Sequence, residues 1–372
     1  ETYLFQFPES PVASGLLREK IDGLLRAERI PASESDLRVS FAGVEFPVYA
    51  DVPESATLPF PSHYRVPSEG DLAKDVAAAA VALRAGRSLW VHGGSGSGKD
   101  AFFSAWSAIT RRPGKLFSIS PNADISSLMF VRSLSLPGGT GWEEGELLKI
   151  LRDGYLTPSG RRIPYLVVLS DFDRASKGQA EYLRLILDSI QGRISGPGGR
   201  TYPVLPGTQI VATGNSSGDG DSSGRYVSAQ ALDSSLLDRF ERFFEFHAID
   251  PKDEGPILRE KFPDLFAEFP GAIDSILAAT GAVRTAIGLG ELPMDFSHRS
   301  VCYWAGAAED LLRYGNLPKT ERANALVLGT RTILDRAPNP ETRAALQRIL
   351  DPHVSRLIPV PSGGGIPLGR RP

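Results

Sequence analysis

The sequence predicts an α/β fold: a parallel sheet flanked by helices, built around a phosphate-binding loop, with a helical unit after it and a small N-terminal domain before it. Three observations predict this. The segment Gly93-Gly94-Ser95-Gly96-Ser97-Gly98-Lys99-Asp100 follows an apolar run, Ser88–His92, and precedes an apolar helical stretch, Asp100–Trp106. Further apolar runs at Leu116–Ile119, Tyr165–Leu169 and Thr208–Thr213 alternate with helical spacing, the mark of a sheet covered by helices. Beyond residue 248 the strand signal stops, and Pro251, Pro263, Pro270, Pro293 and Pro318 punctuate a helical region.

These observations divide the chain into four parts. Residues 1–65 form a small N-terminal domain and linker, with a helical pattern over Gly15–Arg29, a small hairpin over Leu37–Phe46 and a proline-rich stretch over Pro47–Pro67. Residues 66–248 form the α/β core that carries the loop, 249–352 a helical domain, and 353–372 a Pro/Gly-rich flexible tail. Within the core, Gln179–Gln191 has the spacing of an amphipathic helix. Two insertions break the alternation, Asn122–Gly145 and Gly192–Gly207, the second reading as a hairpin.

Composition excludes several function classes. The 372 residues carry 41 Lys plus Arg against 44 Asp plus Glu, a net charge of −3, with no basic run, so nucleic acid is not an expected partner. The one cysteine, Cys302, can form no intrachain disulfide and no thiolate cluster, which fits a reducing compartment. No apolar run approaches a membrane span and no secretory signal is visible, so a cytoplasmic location is expected. The five histidines are scattered and show no metal-ligand spacing. Gly214–Gly218 matches G-x-S-x-G, but a Gly/Asp/Ser stretch follows instead of a helix. Asp219–Gly224 begins like a calcium loop, yet its twelfth position is Gln230, which lacks the bidentate carboxylate.

The chemistry is therefore read at the loop. Gly93, Gly94, Gly96 and Gly98 let the backbone approach phosphate, Ser95 and Ser97 lie between them, and Lys99 can reach the terminal phosphates. The plain alternative is a flexible Gly/Ser turn with a solvated lysine. The pattern G-x-x-x-x-G-K-[ST] ends in a hydroxyl, whereas here the last place holds Asp100. A second departure lies at the end of the Tyr165–Leu169 strand. An acidic pair there would hold Mg²⁺ and polarise water, and the places fall on Ser170 and Asp171. Taken together, the departures exchange donors: the loop supplies the carboxylate and the strand supplies the hydroxyl. A swapped Mg²⁺ site made of Asp100, Ser170 and Asp171 is expected, since Mg²⁺ accepts hard oxygens of either kind. The alternative is a decayed site in which Asp100 only caps its helix. Asp171 is the expected water-activating carboxylate, with Asp173 behind it. Asn215, after the Thr208–Thr213 strand, can orient water beside the γ-phosphate or stabilise the turn.

With the loop, Ser170–Ala175, Asn215–Phe240 and Ser297–Trp304, the chain resembles the AAA+ ATPases of the MoxR group, most closely the cobaltochelatase ATPase subunits (CobS-like), over roughly residues 40 to 350. The Gly218–Tyr226 stretch followed by Leu237-Asp238-Arg239-Phe240 is the most specific part. The resemblance implies ATP with Mg²⁺ between the subunits of a hexameric homo-oligomer, and a remodelled client or assisted metal insertion with a von Willebrand A-domain partner. It matches Asn215 to the first sensor, Arg239 to an arginine finger donated to the neighbour, with Arg242 second, and Arg299 to the sensor of the helical lid. The alternatives are an Arg239 ion pair with Asp238 or Glu241, and a surface charge at Arg299 after a Ser297 cap. Where the family has proline before that arginine, this chain has His298. The altered loop leaves a second function open: a nucleotide-binding structural ring with weak or no hydrolysis.

Overall fold

A computed structural model describes residues 3–6, 37–136, 139–188, 192–220, 229, 231–318 and 321–354. The Gly15–Arg29 helix, residues 221–228 of the glycine-rich stretch, and the tail from 355 onward lie outside the described residues.

The chain opens with a three-stranded sheet. Strand β1 (Tyr3–Gln6) runs parallel to β2 (Leu37–Phe41), and β2 pairs antiparallel with β3 (Val44–Pro47). The two-residue turn places Ala42 at φ 50° and Gly43 at φ 77°, the mirror-image turn that a twisted hairpin requires. Leu37, Val39 and Phe41 alternate inward and are buried.

Helix α1 (Gly70–Arg84) then leads into β4 (Leu89–His92), the loop, and α2 (Lys99–Thr110). Strand β5 (Gly114–Ser118) follows. The first insertion is a helical turn, α3 (Ser126–Met129), and an antiparallel hairpin of β6 (Phe130–Leu136) and β7 (Gly139–Glu144). Helix α4 (Glu146–Asp153) and a short ladder of β8 (Tyr155–Leu156) with β9 (Arg162–Ile163) precede β10 (Leu166–Ser170). Helix α5 (Ala180–Asp188) occupies the middle of the amphipathic stretch expected at 179–191, whose residues 189–191 lie outside the described residues. The second insertion is a hairpin, as its glycines and prolines indicate: β11 (Arg193–Ser195) pairs antiparallel with β12 (Thr201–Pro203). Strand β13 (Gln209–Gly214), the turn α6 (Ser234–Leu237) and β14 (Arg242–Glu245) complete this part.

The central sheet is wholly parallel, in the order β14-β4-β13-β10-β5. Four strands follow the apolar runs of the sequence. Strand β10 shows why those runs are continuous: Leu166 and Val168 join the core containing α1 and α2, while Val167 and Leu169 join the one containing α4 and α5. A strand covered on both faces has no polar side to show. The first core also takes Val39, Phe41, Phe46 and Leu58, with Phe41 5.7 Å from Phe102 and Phe46 edge-on to Trp106 at 5.5 Å. The fifth strand, β14, was not expected. It reads Arg-Phe-Phe-Glu, stands at the end of the sheet order beside β4, and leaves Phe243 48% exposed, so it lacks the two-sided burial that marks a central strand.

Compact units span Glu1–Asp250 and Pro251–Pro372. The described part of the second is helical: α7 (Pro251–Lys261), α8 (Pro263–Glu268), α9 (Ala272–Gly288), α10 (His298–Tyr314), α11 (Asn324–Gly329), α12 (Arg331–Leu334) and α13 (Pro340–Val354). Ile273, Ile276, Val283, Trp304, Leu326 and Leu346 lie in its core, and Trp304 Nε1 donates to the Leu326 carbonyl at 3.0 Å.

One buried hydroxyl ties the proline-rich stretch to the loop helix. Ser107 Oγ accepts from Leu58 N at 3.0 Å and donates to the Arg112 carbonyl at 2.8 Å, with Ser107 fully buried. Ser107→Ala strands both backbone groups and is expected to cost about 2 kcal/mol, read as a lowered denaturant midpoint with an unchanged slope.

Candidate functional site

The loop is a backbone structure first. At Gly93, φ is +142° and a Cβ would lie 2.2 Å from the Phe246 carbonyl oxygen, so only glycine lets β4 turn away there. Gly94 is exposed, Ser95, Gly96 and Ser97 form the half-buried bend, and Ser97 N donates to the Gly94 carbonyl at 3.2 Å. Gly98 takes the cap position of α2 in a left-handed conformation, so the helix starts at Lys99 with the N–H groups of its first turn lacking acceptors in the helix. Those groups and the helix dipole form an anion site. Lys99 is folded into it: Nζ donates to the carbonyls of Gly93 at 2.8 Å and Gly94 at 3.0 Å, and lies 3.4 Å from Asn215 Oδ1. The lysine and the Asn215 side chain, 116 residues apart, therefore meet.

The two departures from the loop pattern also meet. Ser170, the last residue of β10, donates its hydroxyl to Asp100 Oδ2 at 2.7 Å. A third group, absent from the sequence reading, joins them: Thr213 Oγ1 donates to Asp100 Oδ1 at 2.7 Å. Ser170 and Thr213 are both buried, on neighbouring parallel strands paired through Leu169 and Ala212. Threonine in an apolar strand reads as an ordinary β-former. The signal that would have found it is positional: both runs end in a hydroxyl residue at the same level of adjacent strands.

The donor set is one carboxylate and two hydroxyls, all hard oxygens, and such oxygens suit Mg²⁺. Among the described residues no group of three His, Cys, Asp or Glu side chains could hold a metal. One carboxylate flanked by two hydroxyls is a donor set that fits a hard divalent cation such as Mg²⁺.

The two acids after Ser170 differ in their surroundings. Asp171 is half-exposed at φ 54°, and Arg174 Nη1 lies 3.5 Å from its Oδ2. Asp173, second choice for activating water, is fully buried, and its Oδ2 accepts from Asn215 N at 2.7 Å, Ser216 N at 2.9 Å and Ser216 Oγ at 3.1 Å. It braces the turn that presents Asn215, which explains an acid at this place without catalysis.

Arg239 has a partner in the same chain. Its Nε donates to Asp188 Oδ1 on α5 at 2.6 Å, and its Nη1 donates to the Ser235 carbonyl. The ion-pair alternative named Asp238 or Glu241, but the partner is Asp188, and Glu241 is held by Arg87 at 2.7 Å and by Ser88 N at 3.0 Å. Arg242 is exposed and donates to the Glu241 carbonyl at 2.7 Å.

In the helical unit, Arg299 is exposed in the first turn of α10, and Ser297 occupies the cap position without a side-chain capping bond. The neighbouring departure, His298, has a definite role. Its Nδ1 lies 2.9 Å from Oε1 of Glu254, a fully buried carboxylate that Arg284 also grips at 2.8 and 2.9 Å; its Nε2 lies 3.3 Å from Cys302 Sγ. Burial opposes charge on this imidazole, but the contacts with Cys302 and Glu254 outweigh it and raise the pKa to about 9.

The chain matches no family model and no curated protein. Among solved structures it is similar to Thermotoga maritima RuvB. One point mutant of that protein, with a proline replaced by glycine, gives a TM-score of 0.45 at 13% identity, over 75% of this chain and 73% of that one. Another, with a threonine replaced by valine, gives 0.42 at 13% identity, over 74% and 72%. The structure described as the RuvB Holliday junction branch migration motor gives 0.40 at 14% identity, over 74% and 72%.

A pH dependence follows from the Glu254 cluster. A histidine whose pKa rises from 6.5 unfolded to about 9 folded stabilises the protein fully below pH 6.5, and that stability is lost as pH climbs through 9. Thermal unfolding of the whole chain should show a second transition centred on the helical unit, or a broadening, that moves down across this window. In His298→Gln the movement should flatten.

Proposed function

We propose that this chain is an AAA+ ATPase of the MoxR type, CobS-like, that binds Mg·ATP at the subunit interfaces of a hexameric ring. It would use hydrolysis to remodel a protein client or aid metal insertion with a von Willebrand A-domain partner. The observation that carries the reading is the bond between Asp100 and Ser170, which joins the two exchanged positions. A parallel sheet with the loop after a central strand, an asparagine on the adjacent strand end in reach of the loop lysine, and a following helical unit support it further.

The residues have separate tasks in this reading. The loop amides from Gly94 to Gly98 and the Lys99 ammonium bind the phosphates and offset their charge. Asp100 and Ser170 would hold Mg²⁺, with Asp171 as the third expected ligand. Bound there, Mg²⁺ supplies charge neutralisation on the phosphate oxygens. Asp171 accepts the proton of the attacking water, and Asn215 orients that water. Arg239 stabilises charge on the neighbour's nucleotide, and Arg299 takes the part of the second sensor arginine.

A second reading, a ring that assembles on nucleotide and scarcely hydrolyses it, has its own support. Asp171 is one methylene shorter than glutamate and sits beside Arg174, and Arg239 is bound to Asp188. The partner, the client and the cytoplasmic location belong to the proposal. Among the described residues no helix is long and apolar enough to cross a membrane.

Steady-state phosphate release in Mg²⁺ separates the readings. A remodeller loses turnover in Lys99→Ala and Arg239→Ala, the latter by roughly a thousandfold if the arginine acts in trans. Asp100→Thr and Ser170→Asp should each lower turnover, and the double change should restore it. Turnover at background level with intact nucleotide binding selects the structural ring.

A further inference from the structure

We propose that Asp100, fixed by Ser170 and Thr213, makes nucleotide binding at this loop conditional on a divalent cation. The conditionality rests on the reading of the loop as a polyphosphate site and specifies how that site is controlled. A hydroxyl at the end of such a loop is neutral. It can donate its proton to phosphate oxygen or offer a lone pair to a metal, so it tolerates a metal-free nucleotide. A carboxylate carries a full negative charge and only accepts.

The surroundings sharpen this difference. Asp100 takes a proton from Ser170 on one oxygen and from Thr213 on the other, both at 2.7 Å. Each hydroxyl has one proton, and that proton is committed to Asp100. What the two hydroxyls present elsewhere is lone pairs. Three groups with four oxygens therefore converge from α2, β10 and β13 with no proton to offer a phosphate. Such a set repels polyphosphate and attracts a cation. Lys99, next in sequence, donates to the Gly93 and Gly94 carbonyls inside the loop. The anion and cation functions are thus divided between adjacent residues: the loop amides and Lys99 serve phosphate, and Asp100, Ser170 and Thr213 serve the ion. Thr213 enters the cation set beside Ser170.

The test is binding of fluorescently labelled ADP to the full chain, in Mg²⁺ and in EDTA. Removal of metal should weaken binding by the unaltered protein on the order of a hundredfold. Asp100→Asn keeps the shape and an acceptor for one hydroxyl while removing the charge. It should bind more tightly than the unaltered protein in EDTA and less tightly in Mg²⁺. Asp100→Thr, which restores the usual loop, is a second variant in case the amide disturbs folding, and it should narrow the difference between the two media. The proposal is overturned if the unaltered protein binds equally in both media, or if both variants keep its ratio. Absence of binding in Mg²⁺ by all three proteins would instead overturn the polyphosphate site itself, and the conditionality with it.

Discussion

The Asp100 carboxylate fastens the first turn of α2 to the ends of two neighbouring strands, and the geometry of the loop depends on that fastening. Each end of the contact is fixed by a different force. Strands β10 and β13 are held by burial on both faces, so the hydroxyls of Ser170 and Thr213 project from the fully buried interior of the sheet. The helix is held by Phe102, Phe103 and Trp106 in the core beneath it. Between them a single charged group is satisfied by two neutral donors, an arrangement stronger than hydroxyl to hydroxyl and less tolerant of either partner's loss.

A second brace works on the other side of the loop. Asp173 gathers two backbone amides and a hydroxyl on one oxygen, and so sets the turn from which Asn215 reaches Lys99. The polar groups around the loop thereby form two carboxylate-centred clusters, one on the helix and one after β10. They are bridged by the run Thr213-Gly214-Asn215. A disturbance of β13 would reach both.

Much of this was legible in the sequence, for identifiable reasons. The three inner strands, β4, β10 and β13, announced themselves because two-sided burial demands unbroken apolar runs, and the edge strand β5 did so through its short run at Leu116–Ile119. Lys99 and the glycines were legible because phosphate binding by backbone needs a narrow pattern. Asp100 and Ser170 stood out as complementary departures, and the structure places them in contact. What was missed depends on tertiary position. Strand β14 is an edge and carries charge at both ends. Thr213 matters only because β13 lies beside β10. Asp173 reads as a spare acid until the turn it braces is seen. The partner of Arg239 was sought among its sequence neighbours, whereas α5 brings Asp188 from 51 residues away.

The Glu254 cluster has a consequence for the order in which the helical unit forms. Glu254 lies on α7, Arg284 on α9 and His298 on α10, so the carboxylate that enters first waits for cations supplied 30 and 44 residues later. Burying that carboxylate alone would be strongly unfavourable, and pairing it with only one of the two would leave it poorly solvated. Helix α7 therefore gains a stable resting place only when α9 and α10 dock together. The helical unit is thereby built to condense in one cooperative event, with the ion cluster as the condition on it.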